Sequence, residues 1–151
     1  CGYYNDPIKT CSCSPSAIAR YQQRLSGPFN DRVDIFVNAP FVDYEKLTSE
    51  RCGEKSGSIA NRVAAARNRQ LERFQGNLVL SNSDMRAENI ADYCVTDDTA
   101  CSLLREGMRQ LHLSARGYHR ILKLARTIAD LEESHLIKAH HIAEAMQYRP
   151  R

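Results

Sequence analysis

Three cysteines open the chain, at positions 1, 11 and 13, and thiolates grouped in this way suit a soft divalent cation. A structural zinc site takes four thiolate or imidazole ligands at the corners of a tetrahedron. Cys1, Cys11 and Cys13 supply three of the four and are the candidate metal ligands, with free thiols on an N-terminal tail as the alternative. A second chemistry is cationic. At ~100° per residue, residues 114–131 place Ile121, Leu124, Ala125 and Ile128 on one face of a helix and Arg116, Arg120, Lys123 and Thr127 opposite. Arg116 falls in the first turn, where unpaired N–H groups and the helix dipole attract anions. A cation is locally unfavourable there, so the pattern predicts an anionic partner such as phosphate, with a solvated basic face as the alternative.

Arg62, Arg69 and Arg73 share one face of a helix read over residues 58–75. Such a stripe suits DNA phosphates, an acidic neighbour or plain solvation. It lacks the aromatic interleaving of single-strand binding platforms. The histidines are a weaker signal. His140 and His141 are adjacent on a helix and point ~100° apart, and His112, His119 and His135 have no evident acid or nucleophile beside them. All five are read as solvated or capping residues.

Phosphate-binding G-x-x-x-x-G-K-[ST], dinucleotide-binding G-x-G-x-x-G, H-E-x-x-H and G-x-S-x-G patterns are all absent, which argues against a self-sufficient catalytic centre. Composition is that of an ordinary globular domain of 151 residues, 42% hydrophobic and 26% charged, and a net charge of +3 neither demands nor opposes nucleic acid. No apolar run approaches the ~20 residues of a bilayer span, and the N-terminus lacks a signal-peptide pattern. The expectation is a cytoplasmic protein without membrane contact. Cys52, Cys94 and Cys101 lie among helix-like segments, so reduced thiols are expected rather than a disulfide framework. The first residue is Cys1, within a Cys-Gly-Tyr-Tyr stretch that reads as the interior of a longer chain.

The elements that must position these groups are mostly helices. Residues 1–13 are polar and aperiodic, a loop or small knuckle. Ser14-Pro15 opens a helix carrying Ile18, Tyr21 and Leu25, and Gly27-Pro28 stops it. Val33 to Val37 alternate like a β-branched strand ending before Pro40. Residues 43–50 predict a short acidic helix or turn, and Gly53 to Gly57 a flexible connector. A helix follows from Ile59 to Phe74, ended by Gly76. Helices over residues 83–93, 97–111, 115–131 and 138–148, with Ser83, Thr96 and Ser114 as N-caps, complete a bundle.

The stretch Ser26-Gly27-Pro28-Phe29-Asn30-Asp31-Arg32-Val33-Asp34-Ile35 resembles the "GPLLDRID" segment of Mg-chelatase-like AAA+ ATPases of the ComM/YifB group, which are related to magnesium chelatase ATPase subunits and MCM helicases. Cys1-Gly2-Tyr3-Tyr4 with Cys11-Ser12-Cys13-Ser14-Pro15 resembles the cysteine segment before it. Leu113 to Leu131 resembles the group's lid helix, and His141 to Arg149 its closing helix. Asn30 departs from the leucine common at its position.

The resemblance implies the C-terminal part of such an ATPase. Residues 1–13 become a cysteine-containing loop, 14–52 a helix-strand remnant ending the AAA+ core and carrying the arginine-finger segment, and 53–151 the helical lid, or sensor 2, domain. It implies that Arg32 is an arginine finger directed at ATP held by a neighbouring subunit, and that Arg116 is the sensor 2 arginine contacting nucleotide in its own subunit. An ion pair of Arg32 with Asp31 or Asp34 is the alternative. A planar guanidinium suits the first role, because it binds two phosphoryl oxygens at once. Further implications are ATP and Mg2+ in the full-length protein, none bound to this part alone, a homo-oligomeric ring such as a hexamer, and DNA processing of the branch-migration or helicase type. A further cysteine just upstream of the position matching Cys1 would complete a zinc site. The alternatives from other classes are a helical DNA-binding module and a zinc-stabilised protein-interaction module.

Overall fold

The structure, a computed structural model, describes residues 1–24, 27–30, 32–39, 42 and 53–149. The chain divides into two compact units, residues 1–51 and 52–149. In the first, helix α1 spans Pro15–Gln22, with the Ser14 side chain accepting from the Ala17 N–H and Pro15 at the first helical position, as the Ser-Pro pair predicts. None of its residues is buried. A single helical turn, α2 (Gly27–Asn30), precedes Arg32. The strand expected over 33–37 is not formed, and residues 33–39 carry no regular secondary structure. A strand exists only through the ladder it shares with another, and no partner strand stands among the described residues. The acidic element expected at 43–50 lies outside the described residues.

The second unit contains α3 (Ser56–Arg73), a 3-10 turn (Asn82–Asp84), α4 (Ala87–Tyr93), α5 (Asp98–Gln110), α6 (Ala115–Leu131) and α7 (Ala139–Gln147), the mainly helical bundle anticipated. Two of the expected caps are displaced. Asp97, not Thr96, caps α5, its carboxylate accepting from the Ala100 N–H at 2.6 Å. Ser83 sits in the 3-10 turn, where the Ser81 hydroxyl bonds to Ser83 and Asp84 at 2.7 Å each, so the next helix starts only at Ala87. Ser114 caps α6 as expected, accepting from the Gly117 N–H at 3.1 Å.

Helices α5 and α6 end alike. Leu113 N–H donates to the Met108 carbonyl and Ser134 N–H to that of Ala129, closing each terminus through a left-handed residue, His112 (φ 46°) and Glu133 (φ 63°). Alanines at 100, 125, 129 and 145 are at most 1% exposed and let α5, α6 and α7 approach closely around Leu104, Ile121, Leu122 and Ile142. A parallel bridge of Thr96 with Ile137 ties the α4–α5 link to the α6–α7 link through Asp97 N–H to the Ile137 carbonyl and Ile137 N–H to that of Val95.

Beside this apolar core lies a buried charge. Asp130, on α6, is 1% exposed. It receives both arms of the Arg73 guanidinium from α3, the Asn82 amide at 2.8 Å and Arg126 Nε at 3.1 Å. Asn82 also bonds Thr127 and Arg73 at 3.0 Å each, so its side chain is fully used. Arg126, 2% exposed, spends its other nitrogens on the carbonyls of Ser134 and His135. Burial pushes its guanidinium down from the ordinary arginine value, against the pull of Asp130.

Removing Asp130 strands two cations in the interior, so Asp130→Ala should lower unfolding free energy by about 3–5 kcal/mol, measured by urea denaturation, while Glu133→Gln, at an exposed pair with Arg69, should cost at most about 1 kcal/mol. His112→Gly should raise stability by about 1 kcal/mol in the same assay, since the exposed left-handed position suits a residue without Cβ.

Candidate functional site

Among the described residues, the cations singled out in the sequence divide into two that are exposed and in no ion pair, Arg116 and Arg32, and several already bound within the chain. Arg116 is exposed in the first turn of α6, and no ion pair or hydrogen bond to its guanidinium occurs among the described residues. Lys123, on the same sequence face, instead donates to the Ser83 carbonyl at 2.9 Å, and Thr127 joins the buried Asn82 network. Arg120 is half-buried. The face opposite the apolar stripe is therefore not uniformly solvated: its C-terminal half packs against the 3-10 turn. What remains at the other end is a cation beside a capped helix N-terminus, and a bound anion satisfies both together.

Arg32 is also exposed. Its backbone N–H donates to the Phe29 carbonyl at 2.9 Å, holding it just after the α2 turn. Among the described residues no ion pair involves it. Asp34, one of the two acids weighed as its partner, is exposed and makes no such pair, while Asp31 lies outside the described residues.

The cysteines are brought together. Cys1 and Cys11 have sulfurs 3.5 Å apart, and the three sulfurs of Cys1, Cys11 and Cys13 lie within 4.8 Å of one another. Local bonds fold the intervening loop. Gly2 (φ 89°) and Asn5 (φ 62°) turn the chain, and Asp6 accepts from the Ile8 and Lys9 N–H groups at 2.8 Å each. These two bonds hold the Asp6 carboxyl below its ordinary value. Lys9 lies over the Tyr3 ring at 4.9 Å. The sulfurs border a cleft of about 580 Å³ whose walls include Tyr4, Ile18 and Tyr21. Sulfurs this close, drawn from a short and locally ordered loop, fit a thiophilic cation.

The arginine stripe on α3 is engaged inside its own unit. Arg62 pairs with Glu54 at 2.9 and 3.1 Å, Arg69 with Glu133 and the Asp130 carbonyl, and Arg73 with Asp130. Arg69, Arg73 and Arg126 thus converge on the C-terminal turn of α6, where the helix dipole is negative and carbonyls lack intrahelical partners. All three arginines of the stripe are thus paired with acidic side chains of this same chain.

Sequence reading missed a second cluster. Glu132 Oε2, at the end of α6, lies 2.6 Å from His140 Nε2 and in contact with His141 Nε2. His141 is fully buried, and its Nδ1 accepts the Lys138 N–H at 2.9 Å, capping α7. With Nδ1 an acceptor, the neutral ring carries its proton on Nε2 and donates it to Glu132. Nε2 then has no lone pair for a metal, so the trio is a hydrogen-bonded clamp between α6 and α7 rather than a coordination site. The capping role anticipated for the histidines holds for His141. The available signal was the register of His141 at the third residue of α7, a position that reaches back to the cap N–H.

Comparison with known proteins adds family membership to this geometry. The family profile described as "Magnesium chelatase, subunit ChlI C-terminal" matches residues 53–149, and that described as "Magnesium chelatase, subunit ChlI" matches residues 1–47. "Competence protein ComM" of Haemophilus influenzae is 40% identical over 138 residues, 90% of this chain and 26% of the relative. "Uncharacterized protein YifB" of Escherichia coli is 38% identical over 138 residues, 91% of this chain and 26% of the relative. An uncharacterized protein of Mycobacterium bovis is 28% identical over 144 residues, 95% of this chain and 28% of the relative. The chain thus spans about a quarter of the length of the curated relatives it matches.

The clamp makes one pH dependence explicit. Hydrogen bonds from His140 and His141 hold the Glu132 carboxyl down to about 2, against an ordinary 4.5. A lowered carboxylate contributes stability that is complete above its unfolded value and is lost as pH falls through its folded one. The stability difference between the wild-type chain and Glu132→Gln should therefore be near zero at about pH 2 and grow to a plateau above about 4.5, followed by chemical denaturation across that window. A pH-independent difference would remove the clamp from the account.

Proposed function

The chain belongs to the magnesium chelatase ChlI C-terminal family, and on that premise we propose that it is the arginine-supplying part of a Mg-chelatase-like AAA+ ATPase that works as a ring. The observation that carries the proposal is Arg116: a guanidinium exposed and unengaged among the described residues, in the first turn of a capped helix whose far end is pinned by three other arginines. In this reading Arg116 is the sensor 2 arginine, reading the phosphates of a nucleotide in its own subunit and so coupling nucleotide state to lid position. Arg32 is the arginine finger, reaching ATP held by the neighbouring subunit. Mg2+ accompanies ATP in the full-length protein and shields phosphate charge. The two guanidiniums orient the phosphates and stabilise the charge that builds on the transferred group.

The relative named for competence, together with the cysteine segment, supports assignment to DNA processing, of the branch-migration or helicase type, in a hexameric ring. The DNA contact is not assigned to the α3 stripe. Its arginines already hold carboxylates, so phosphate binding there would first have to break those pairs. Cys1, Cys11 and Cys13 are proposed as ligands of a structural zinc ion in the intact protein, on the strength of their sulfurs lying within 4.8 Å of one another.

In the full-length protein, Arg32→Ala should lower ATP turnover by about 10³-fold or more. Arg116→Ala should impair turnover and nucleotide affinity together, with circular dichroism melts unchanged for both variants. Full turnover in both ends this reading. Metal analysis should find about one zinc per full-length chain, lost in Cys11→Ser; a metal-free wild-type protein would discard the zinc assignment alone.

A further inference from the structure

We propose that the cysteine knuckle is an oxidant-responsive modification site, in which Cys1 and Cys11 become joined by a disulfide when the protein meets a two-electron oxidant such as hydrogen peroxide. The carrying observation is positional. The two sulfurs are already 3.5 Å apart, so a closure of roughly 1.5 Å reaches the ~2.05 Å of a disulfide bond. Cys1 is exposed and Cys11 half-exposed, so peroxide reaches both. The loop between them is held in place by the Asp6 side-chain bonds and the Lys9–Tyr3 contact, so bond formation does not first have to gather a disordered segment.

Partner choice follows from chain geometry. Cys11 and Cys13 are separated by one residue, and two peptide units leave little freedom to set the ~90° dihedral a disulfide needs. A link from Cys1 to Cys11 closes a longer loop without that restriction. The remaining described cysteines serve as controls. Cys94 is buried, and burial pushes its thiol up to about 11, so it lacks both access and thiolate character. Cys101 is exposed on α5, in the other unit.

The chemistry balances with peroxide as the sole co-reactant. One thiolate attacks a peroxide oxygen, the O–O bond breaks, and a sulfenic acid forms while the departing hydroxide takes a proton to become water. The second thiol attacks that sulfur, the S–S bond forms, and the sulfenic oxygen leaves as a second water. Two electrons pass from sulfur to oxygen. None of this requires the zinc reading, although metal and disulfide compete for the same sulfurs.

The experiment treats the reduced, chelator-washed 151-residue chain with stoichiometric peroxide, alkylates the remaining thiols and maps the tryptic peptides. Cleavage after Lys9 and Arg20 places Cys1 on one peptide and Cys11 with Cys13 on the next. The expected product is those two peptides cross-linked, about 2 Da below their summed mass, with Cys13 alkylated. It should be lost in Cys1→Ser and in Cys11→Ser and unchanged in Cys101→Ser. Recovery of Cys1 fully alkylated, a closed Cys11–Cys13 peptide, or links spread evenly over all cysteines overturns the proposal. A parallel arm preloaded with zinc separates the two readings. Slower cross-linking by about tenfold or more supports metal on these sulfurs, whereas an unchanged rate counts against zinc and leaves the disulfide standing.

Discussion

A carboxylate that is 1% exposed, as Asp130 is, loses several kcal/mol of hydration and stays charged only where donors surround it. Four groups do so: both arms of Arg73, Arg126 and the amide of Asn82. Two guanidiniums on one carboxylate leave an excess positive charge. The end of α6 absorbs it, because the carbonyls of Asp130, Ser134 and His135 accept from Arg69 and Arg126 at the pole where the helix dipole is negative. The charge cluster is thus placed where backbone electrostatics complete it. It also binds α3 and the 3-10 turn to α6 and fixes that helix at one end. A helix of 17 residues is stiff over that length, so fixing one end also fixes the heading of Arg116 at the other.

The first unit is organised on a different principle. None of the residues of α1 is buried, and the order of the knuckle comes from short-range bonds: the Asp6 carboxylate on two backbone N–H groups, the Tyr3–Asp6 turn and the Lys9–Tyr3 stack. Such structure forms without a hydrophobic core, and it gathers the three sulfurs within 4.8 Å of one another.

What the sequence made legible follows from which forces are local. Ser14-Pro15 and Ser114 were readable as caps because each acts on N–H groups three residues on, and the apolar period of α6 was readable because packing imposes it. The exposure of Arg116 followed from the same period. Thr96 was displaced as a cap by its neighbour Asp97, whose carboxylate is the stronger acceptor. No strand forms at 33–37 because alternation describes a face, while strand formation depends on a partner that local sequence does not reveal. The partners of the α3 stripe are hidden for a related reason: helical spacing puts Arg69 and Arg73 on one side without saying that Asp130, 57 residues after Arg73, faces them. Arg126 and Asp130 stand four apart, a legible ion-pair spacing, but their burial was not. The family resemblance drawn from the cysteine segment, the Ser26–Ile35 stretch, the lid helix and the closing helix agrees with the profile matches.

The placement of α7 bears on how the unit comes into being. It packs on both α5 and α6, contributes Ile142 and Ala145 to the interior, and is preceded by Ile137, whose bridge reaches back to Thr96. The contacts that close the core therefore join residues made early to residues made late. During synthesis the parts of α5 and α6 that α7 covers stay open until residues 139–147 have been made. Assembly of this unit is thus a late event, and the interval before it is the time when the nascent chain most needs protection from its neighbours.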